Sequence, residues 1–377
     1  MLNYVPSLDS LVKVAKRENN TKRSYLYVNP LQGKHVPVSP TASYEVFGLL
    51  ADKIKELYYN ERIMVIGFAE TATAIGTAIA YKNDNVKCYL STTREEVPGA
   101  EYLYFTESHS HATEQRLVIN DFDKYLDNID RIIFAEDEVT TGNTIEKLIN
   151  CLKERFPKVA IKFSIASIVN SMTDYRLAEV KNKAIDCIFV RRIPFQYRIS
   201  DVNYYKYQEP NHNIARSSNI LIKQYGIGAY WNQRIVTRTE LIRNRVNSFA
   251  DNVISKIENL NNAEILILGT EEFMFPGMLL GKKIEDTCMN AIVRFHATSR
   301  SPIEVSIDKH YPLNHRYALE SFYESDRKIF VYNLKKYDII IIVSDADKLN
   351  KSGVISLVGA LEALGNNDIN LFIWRDI

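Results

Sequence analysis

Apolar and polar positions along this chain follow two periods that succeed one another. After Ser39 and Pro40, the residues Val46, Leu50, Ile54 and Leu57 recur at helical spacing and predict an amphipathic helix. Residues 63–67 then form an unbroken apolar run, 70–73 a turn, and 74–81 a helix of small residues. A short strand is expected over 86–90, a polar stretch over 91–115, a buried strand over 131–135 and a helix over 144–152. Further strands over 160–169 and 186–190 extend the alternation, which favours a parallel sheet covered by helices on both faces. The first domain is expected to span 1–205.

Residues 206–258 change character. Tyr204, Tyr205 and Tyr207 precede a polar stretch and then a charged, helix-like run over 237–260, which reads as a helical connector. A second α/β domain, 259–377, opens abruptly with the apolar run 264–269 and closes with a strand over 369–374. Both domains place a strand before Gly67-Phe68-Ala69-Glu70 or Gly269-Thr270-Glu271-Glu272, and later end a strand in Ala135-Glu136-Asp137 or Ser344-Asp345-Ala346-Asp347. A diverged copy of the first domain would explain this order, and so would generic α/β construction.

The 377 residues carry a formal charge of +1. No global field therefore draws the chain to nucleic acid or to an anionic membrane, and any anion site must be local. Cys88, Cys151, Cys187 and Cys288 are far apart with no CxxC spacing, so the cytoplasm is the expected compartment. No apolar stretch approaches the roughly 18 residues of a membrane span.

One segment has legible chemistry: an apolar strand empties into Glu136-Asp137-Glu138-Val139 and then into Thr140, Thr141, Gly142, Asn143 and Thr144 at a helix start. Hydroxyls and backbone N–H groups at the positive end of a helix suit a phosphate, and Gly142 lets the backbone approach closely. Glu136 and Asp137 at a strand end can accept hydrogen bonds from vicinal sugar hydroxyls. A ribose 5-phosphate matches both halves. The plain alternative is an ordinary capped helix with favourable acids near its start.

The run from Phe134 to Thr144 resembles the phosphoribosyl pyrophosphate signature of type I phosphoribosyltransferases, which has two hydrophobic residues, two acids, two more residues and Thr-Thr-Gly-x-Thr. It departs at Glu136, where Asp is usual, at Glu138, where an apolar residue is usual, and at Asn143, where Gly is frequent. Three further runs look like the orotate phosphoribosyltransferase-like family of bacterial tellurite-resistance and stress clusters. They are Asn29-Pro30-Leu31-Gln32-Gly33-Lys34-His35, Gly67-Phe68-Ala69-Glu70-Thr71-Ala72-Thr73 and Glu107-Ser108-His109-Ser110-His111-Ala112-Thr113. That family commonly carries a C-terminal domain named for a Thr-Arg-Ser-Pro (TRSP) motif, which Thr298-Ser299-Arg300-Ser301-Pro302 resembles with Ser299 in place of Thr.

The resemblance implies a type I phosphoribosyltransferase-like parallel sheet with flanking helices, followed by the second α/β domain. It implies Mg²⁺-assisted transfer of a 5-phosphoribosyl group from phosphoribosyl pyrophosphate to a nitrogenous acceptor, with a homodimer expected. Glu136 and Asp137 would orient the ribose and meet the metal indirectly, and Thr140 to Thr144 would hold the 5-phosphate. Glu70, Thr71, Ala72 and Thr73 would face the pyrophosphate, although small residues between a strand and a helix also serve close packing. Residues 91–115 read as a lid hairpin, from which Arg94, His109 and His111 could bring positive charge or a proton to the leaving group. The His-x-His pair could instead hold a metal or be solvated. Gln32 and Lys34 are candidates for a hood over the acceptor, or for a polar surface loop. Ser299, Arg300 and Ser301 are candidates for a second anion site, or for a helix cap. A different class of function stays open: a regulator that binds phosphoribosyl pyrophosphate or a nucleotide without chemistry. So does the reverse reaction, since one pocket serves both directions.

Overall fold

A computed structural model describes residues 6–18, 24–105, 115–157, 160–193, 200–208 and 222–375. The chain divides into two compact units: the first contains 45–196 and 231–244, the second 6–44, 197–230 and 245–377. The chain begins with α1 (Leu8–Leu11), β1 (Lys13–Lys16), β2 (Tyr25–Val28) and α2 (Pro40–Leu57). It continues through β3 (Ile63–Gly67), α3 (Thr73–Lys82), β4 (Val86–Ser91), β5 (Tyr102–Tyr104), β6 (Arg116–Val118), α4 (Phe122–Leu126) and β7 (Arg131–Val139). Next come α5 (Asn143–Arg155), β8 (Lys162–Asn170), α6 (Asp174–Asn182), β9 (Ile185–Arg192) and α7 (Ser200–Asn203). Then follow β10 (Lys223–Ile227), β11 (Thr237–Arg238) and α8 (Thr239–Ile254). The last stretch is β12 (Glu264–Gly269), α9 (Phe275–Thr287), β13 (Ile292–Ala297), β14 (Arg316–Glu320), β15 (Lys328–Tyr332), β16 (Ile339–Ser344), α10 (Lys351–Glu362) and β17 (Ile369–Trp374).

In the first unit the sheet order is β11-β4-β3-β7-β8-β9. Strands β4, β3, β7, β8 and β9 are parallel, and only β11 is antiparallel, on β4. All five residues of β3 are buried, as a central strand covered on both faces requires. Helix α3 packs close because it is built of small residues: a Cβ on Gly76 would lie 2.9 Å from the Gly67 Cα. Helix α5 buries Ile145, Leu148, Ile149 and Leu152, one stripe at helical spacing. At the amino ends of the strands, Arg131 lies 3.8 Å from the centre of the Tyr58 ring and pairs with Glu61 at 2.5 Å and Asp186 at 2.9 Å. Burial pushes the Tyr58 hydroxyl up to about 12.

The second unit repeats this plan. Its sheet, β10-β17-β16-β12-β13, is parallel throughout. In both units a first strand is followed by a helix and a strand on one side (β3-α3-β4, β12-α9-β13). An antiparallel hairpin comes next (β5-β6, β14-β15), then strand, helix and strand on the other side (β7-α5-β8, β16-α10-β17). The match extends to single bonds. Thr92 N donates to Gly67 O at 2.9 Å, as Thr298 N does to Gly269 O at 3.0 Å. Ala69 N donates to Thr92 Oγ1 at 2.8 Å, as Glu271 N does to Thr298 Oγ1 at 2.9 Å. The last strand differs, since β10 reaches β17 from earlier in the chain, where β9 follows β8.

Two expected boundaries move. Residues 6–44, expected in the first domain, belong to the second unit. There β1 and β2 form a hairpin whose Ala15, Leu26 and Val28 share a core with Ile303, Val305, Leu313 and Tyr332. The expected connector is not purely helical. It supplies β10 to the second sheet, and it returns 231–244 to the first unit by burying Trp231 against Tyr89, ring centres 5.9 Å apart.

Lys34 is fully buried in the second unit, where its ammonium donates to the carbonyls of Glu271 at 2.6 Å and Thr298 at 2.8 Å. Replacement by methionine leaves both carbonyls without that donor, so Lys34→Met is expected to lower stability by about 1–3 kcal/mol. Urea denaturation of the two proteins measures the difference.

Candidate active site

The loops that follow β3 and β7 emerge side by side, because Gly67 pairs with Ala135 in the parallel register and Phe68 N continues the ladder to Ala135 O at 3.0 Å. This is the point where the strand order reverses direction, with β4 on one side of β3 and β8 on the far side of β7. Open α/β sheets leave a crevice there, beyond the carboxyl ends of the strands.

On the β3 side the chain turns sharply at Gly67, where a Cβ would sit 2.8 Å from the Tyr89 hydroxyl oxygen. The Ala69–Glu70 peptide is cis. Two bonds pin the loop: Ala69 N to Thr92 Oγ1, and Gln115 Nε2 to Ala69 O at 2.9 Å. Glu70, Ala72 and Thr73 are buried, and Thr73 Oγ1 donates to Glu70 O at 3.4 Å. Thr71 is half-buried and reaches across the crevice, donating from Oγ1 to Asp137 Oδ1 at 3.1 Å.

On the β7 side, Glu136, Asp137 and Glu138 are half-buried at the strand end. Neighbours on a strand face opposite ways, so Asp137 leans toward the β3 loop while Glu138 accepts from Ser171 Oγ at 2.9 Å. Burial and the adjacent Asp137 carboxylate raise the Glu136 carboxyl well above the usual range. The cradle Thr140 to Thr144 is open to solvent: Thr141, Asn143 and Thr144 are exposed, Thr140 and Gly142 half-exposed. Gly142 has φ +71° and, as the N-cap of α5, offers no side chain of its own to the first turn, where Thr141 Oγ1 accepts from Asn143 N at 3.4 Å. The other amides at the positive end of that helix can serve an anion.

Of the other candidates, Arg94 lies just past β4, with its carbonyl 3.4 Å from Arg116 Nη2. His109 and His111 fall outside the described residues. Of the stretch 91–115 expected as a lid hairpin, 106–114 lie outside the described residues; β5 within it pairs with β6, which lies just after it. Gln32 and Lys34 are buried in the second unit, in the loop that also brings Gly33 O within 3.3 Å of His296 Nδ1. Arg300 donates from Nε to Glu271 Oε2 at 2.6 Å, so the TRSP-like loop meets a carboxylate from its own fold where an external anion was expected. Ser301 N donates to Ser299 Oγ at 3.2 Å, and that hydroxyl lies 3.3 Å from His35 Nε2.

Sequence reasoning missed two arginines of the first unit. Arg234 is buried and donates from Nε to Thr93 Oγ1 at 3.2 Å, bringing positive charge to the carboxyl end of β4 from a segment 141 residues on. The nearby Trp231 was the available signal, since a tryptophan within a polar connector marks a docking point. Arg176 donates to the cradle itself, from Nε to Thr141 O at 2.7 Å and from Nη2 to Asn143 Oδ1 at 3.0 Å. No local pattern announces it.

Residues 11–191 match the model of the family described as phosphoribosyl transferase, and residues 233–361 match the model described as the TRSP domain C-terminal to it. Among solved structures, the chain is similar to adenine phosphoribosyltransferase from Rhodothermus marinus at 14% identity, covering 49% of this chain and 96% of that one, with a TM-score of 0.34. Orotate phosphoribosyltransferase from Aeropyrum pernix matches at 15% identity over 51% and 94% of the two chains, with a TM-score of 0.33. Adenine phosphoribosyltransferase from Trypanosoma brucei, in complex with AMP, pyrophosphate and ribose-5-phosphate, matches at 13% identity over 49% and 77%, with a TM-score of 0.35. No curated protein matches the chain.

A carboxyl whose pKa is raised on folding binds a proton that the unfolded chain has already released. Its contribution to stability is complete below the ordinary glutamate value of about 4.3 and is lost as pH rises through the raised value. Thermal unfolding across that window is therefore expected to show wild type losing stability with pH relative to Glu136→Gln, which has no proton to lose there. Parallel curves for the two proteins would mean that Glu136 titrates normally.

Proposed function

We propose that the chain, whose residues 11–191 match the phosphoribosyl transferase family model, transfers a 5-phosphoribosyl group from phosphoribosyl pyrophosphate to a nitrogenous, base-like acceptor, releasing pyrophosphate. The observation that carries this reading is the juxtaposition at the switch point. A helix start with Gly142 at its N-cap and a Thr-Thr-Gly-Asn-Thr turn follows Asp137 along the chain, and Asp137 is bonded to Thr71 of the opposite loop at 3.1 Å. The spacing suits one ligand with three parts: a 5-phosphate on the cradle, ribose hydroxyls on Asp137 and Glu136, and a pyrophosphate over Glu70, Thr71, Ala72 and Thr73.

In the reaction the bond from ribose C1 to the pyrophosphate oxygen breaks and a bond from C1 to an acceptor nitrogen forms. The electron pair of the broken bond leaves with pyrophosphate, and the acceptor nitrogen gives up its proton. Asp137 and Glu136 orient the ribose so that C1 faces the acceptor. Arg94 lies on the leaving-group side, at the start of the hairpin region that excludes water. His109 and His111 belong to the same stretch and are our candidates for the proton.

Mg²⁺ would be held through substrate oxygens and water, with the adjacent carboxylates Glu136 and Asp137 facing its water shell. When bound, the ion would neutralise charge on the departing pyrophosphate. Among the described residues no helix is long and apolar enough to cross a membrane. The resemblance to stress-cluster relatives supports a homodimeric cytoplasmic enzyme that makes a ribosylated metabolite.

Calorimetry with phosphoribosyl pyrophosphate, with and without Mg²⁺, tests the reading. Wild type is expected to bind tightly only with the ion, and an Asp137→Ala, Thr141→Ala double variant to lose binding. Absence of wild-type binding would sink the proposal. Once an acceptor is found, Asp137→Asn is expected to lower kcat roughly a hundredfold or more, because a charged acceptor of hydrogen bonds becomes half donor. Tight binding with no turnover on any base-like acceptor would favour the regulator.

A further inference from the structure

We propose that Arg176 is a positioning residue for the phosphate cradle: it turns the Thr141–Asn143 backbone so that its amides face a phosphate monoester. This rests on the reading of the cradle given above. Arg176 lies in the first turn of α6, behind the loop, and its side chain is 14% exposed. Each guanidinium nitrogen is committed. Nε donates to Thr141 O at 2.7 Å, and Nη2 to Asn143 Oδ1 at 3.0 Å and Glu146 Oε1 at 2.7 Å, while Nη1 stands 2.8 Å from Glu179 Oε2. Lys183 Nζ holds the same two glutamates, each at 3.0 Å. Two cations and two carboxylates balance, so the cluster adds no net charge to attract the ligand.

Its effect is directional. In a planar trans peptide the carbonyl of one residue and the N–H of the next point opposite ways. Drawing the Thr141 carbonyl onto Arg176 therefore aims the Gly142 N–H away from α6. Gly142 cannot hold this orientation alone: its φ of +71° suits glycine, and an added Cβ would meet Met172 Cε at 2.8 Å. Asn143 replaces the glycine frequent at that place in the signature, and Arg176 draws its side-chain oxygen to the α6 side. The departure at Asn143 and the clamp thus form one device, in which the Asn143 side chain holds the turn from the α6 side and the Gly142 N–H faces the ligand.

The test titrates the full chain separately with ribose 5-phosphate and with pyrophosphate, in wild type, Arg176→Gln and Arg176→Lys. Arg176→Gln is expected to weaken ribose 5-phosphate binding by about tenfold, the scale of one lost oriented donor, and to leave pyrophosphate binding unchanged. Arg176→Lys keeps one charged donor for the Thr141 carbonyl and should recover part of the loss. In a double-mutant cycle, Asn143→Ala should add less to Arg176→Gln than it costs alone. Should Arg176→Gln fail to fold, the Arg176→Lys titrations and the Asn143→Ala single variant carry the test. Unchanged ribose 5-phosphate binding in the variants, or equal loss of both ligands, would overturn the positioning role. A wild type that binds neither ligand removes the reading of the cradle itself, and the proposal with it.

Discussion

Two parallel strands that sit side by side and send their helices in opposite directions leave the gap between their carboxyl ends uncovered. In the first unit those strands are β3 and β7, with α3 leading to β4 on one side and α5 to β8 on the other. Right-handed crossovers put the two helices on opposite faces, so neither helix roofs the gap. The proposed site lies there. The opposite end of the same sheet is closed by the Arg131, Glu61 and Asp186 pairs, which tie β7 and β9 to the loop before β3.

The second unit obeys the same constraint and fills the gap from within. The registers place Asp345 where Asp137 stands and Glu272 where Glu70 stands, since Gly269 pairs with Val343 as Gly67 pairs with Ala135. Asp345 accepts from Tyr323 at 2.6 Å and Tyr230 at 3.0 Å, and Glu271 pairs with Arg300 and Arg327. No Thr-Thr-Gly-x-Thr turn follows β16, and α10 begins at Asn350, whose own side chain caps Ser352 N at 3.2 Å. The N-cap of α5 is a glycine where that of α10 is a capping asparagine, and the difference lies in a few residues on one plan.

The strand and helix order of both units was legible because buried parallel strands are contiguous apolar runs, and β3, β7, β12 and β16 stand out as such. The proposed cradle could be named from sequence because a phosphate loop is a local motif, and Thr140 to Thr144 are adjacent in the chain. What could not be read depends on docking between segments distant in the sequence. Lys34 lies in a polar, Pro-flanked loop, and nothing in that loop indicates that its ammonium is buried 237 residues away on Glu271. Arg176 and Arg234 are equally silent, because each acts on a loop brought to it by the fold. The place of residues 6–44 in the second unit was hidden for the same reason: β1 and β2 are short, partly exposed strands, and their pattern does not say which sheet they accompany.

The acid pair poses a physical difficulty that its burial resolves. A ligand carrying a phosphate and a pyrophosphate is strongly anionic, and a run of Glu136, Asp137 and Glu138 would repel it if all three were charged and facing it. The three do not share a face. Glu138 is turned to Ser171, Asp137 is held by the Thr71 hydroxyl, and Glu136 is kept protonated to higher pH than usual by burial beside Asp137. On the proposed reading the sugar hydroxyls meet the acid end of the strand while the phosphate meets neutral amides and hydroxyls at a helix start. Separating those two environments along one strand and one turn would let acids and a phosphate site be neighbours. Behind the turn, Arg176 and Lys183 balance the carboxylates of Glu146 and Glu179, so that cluster would add no repulsion toward the proposed phosphate.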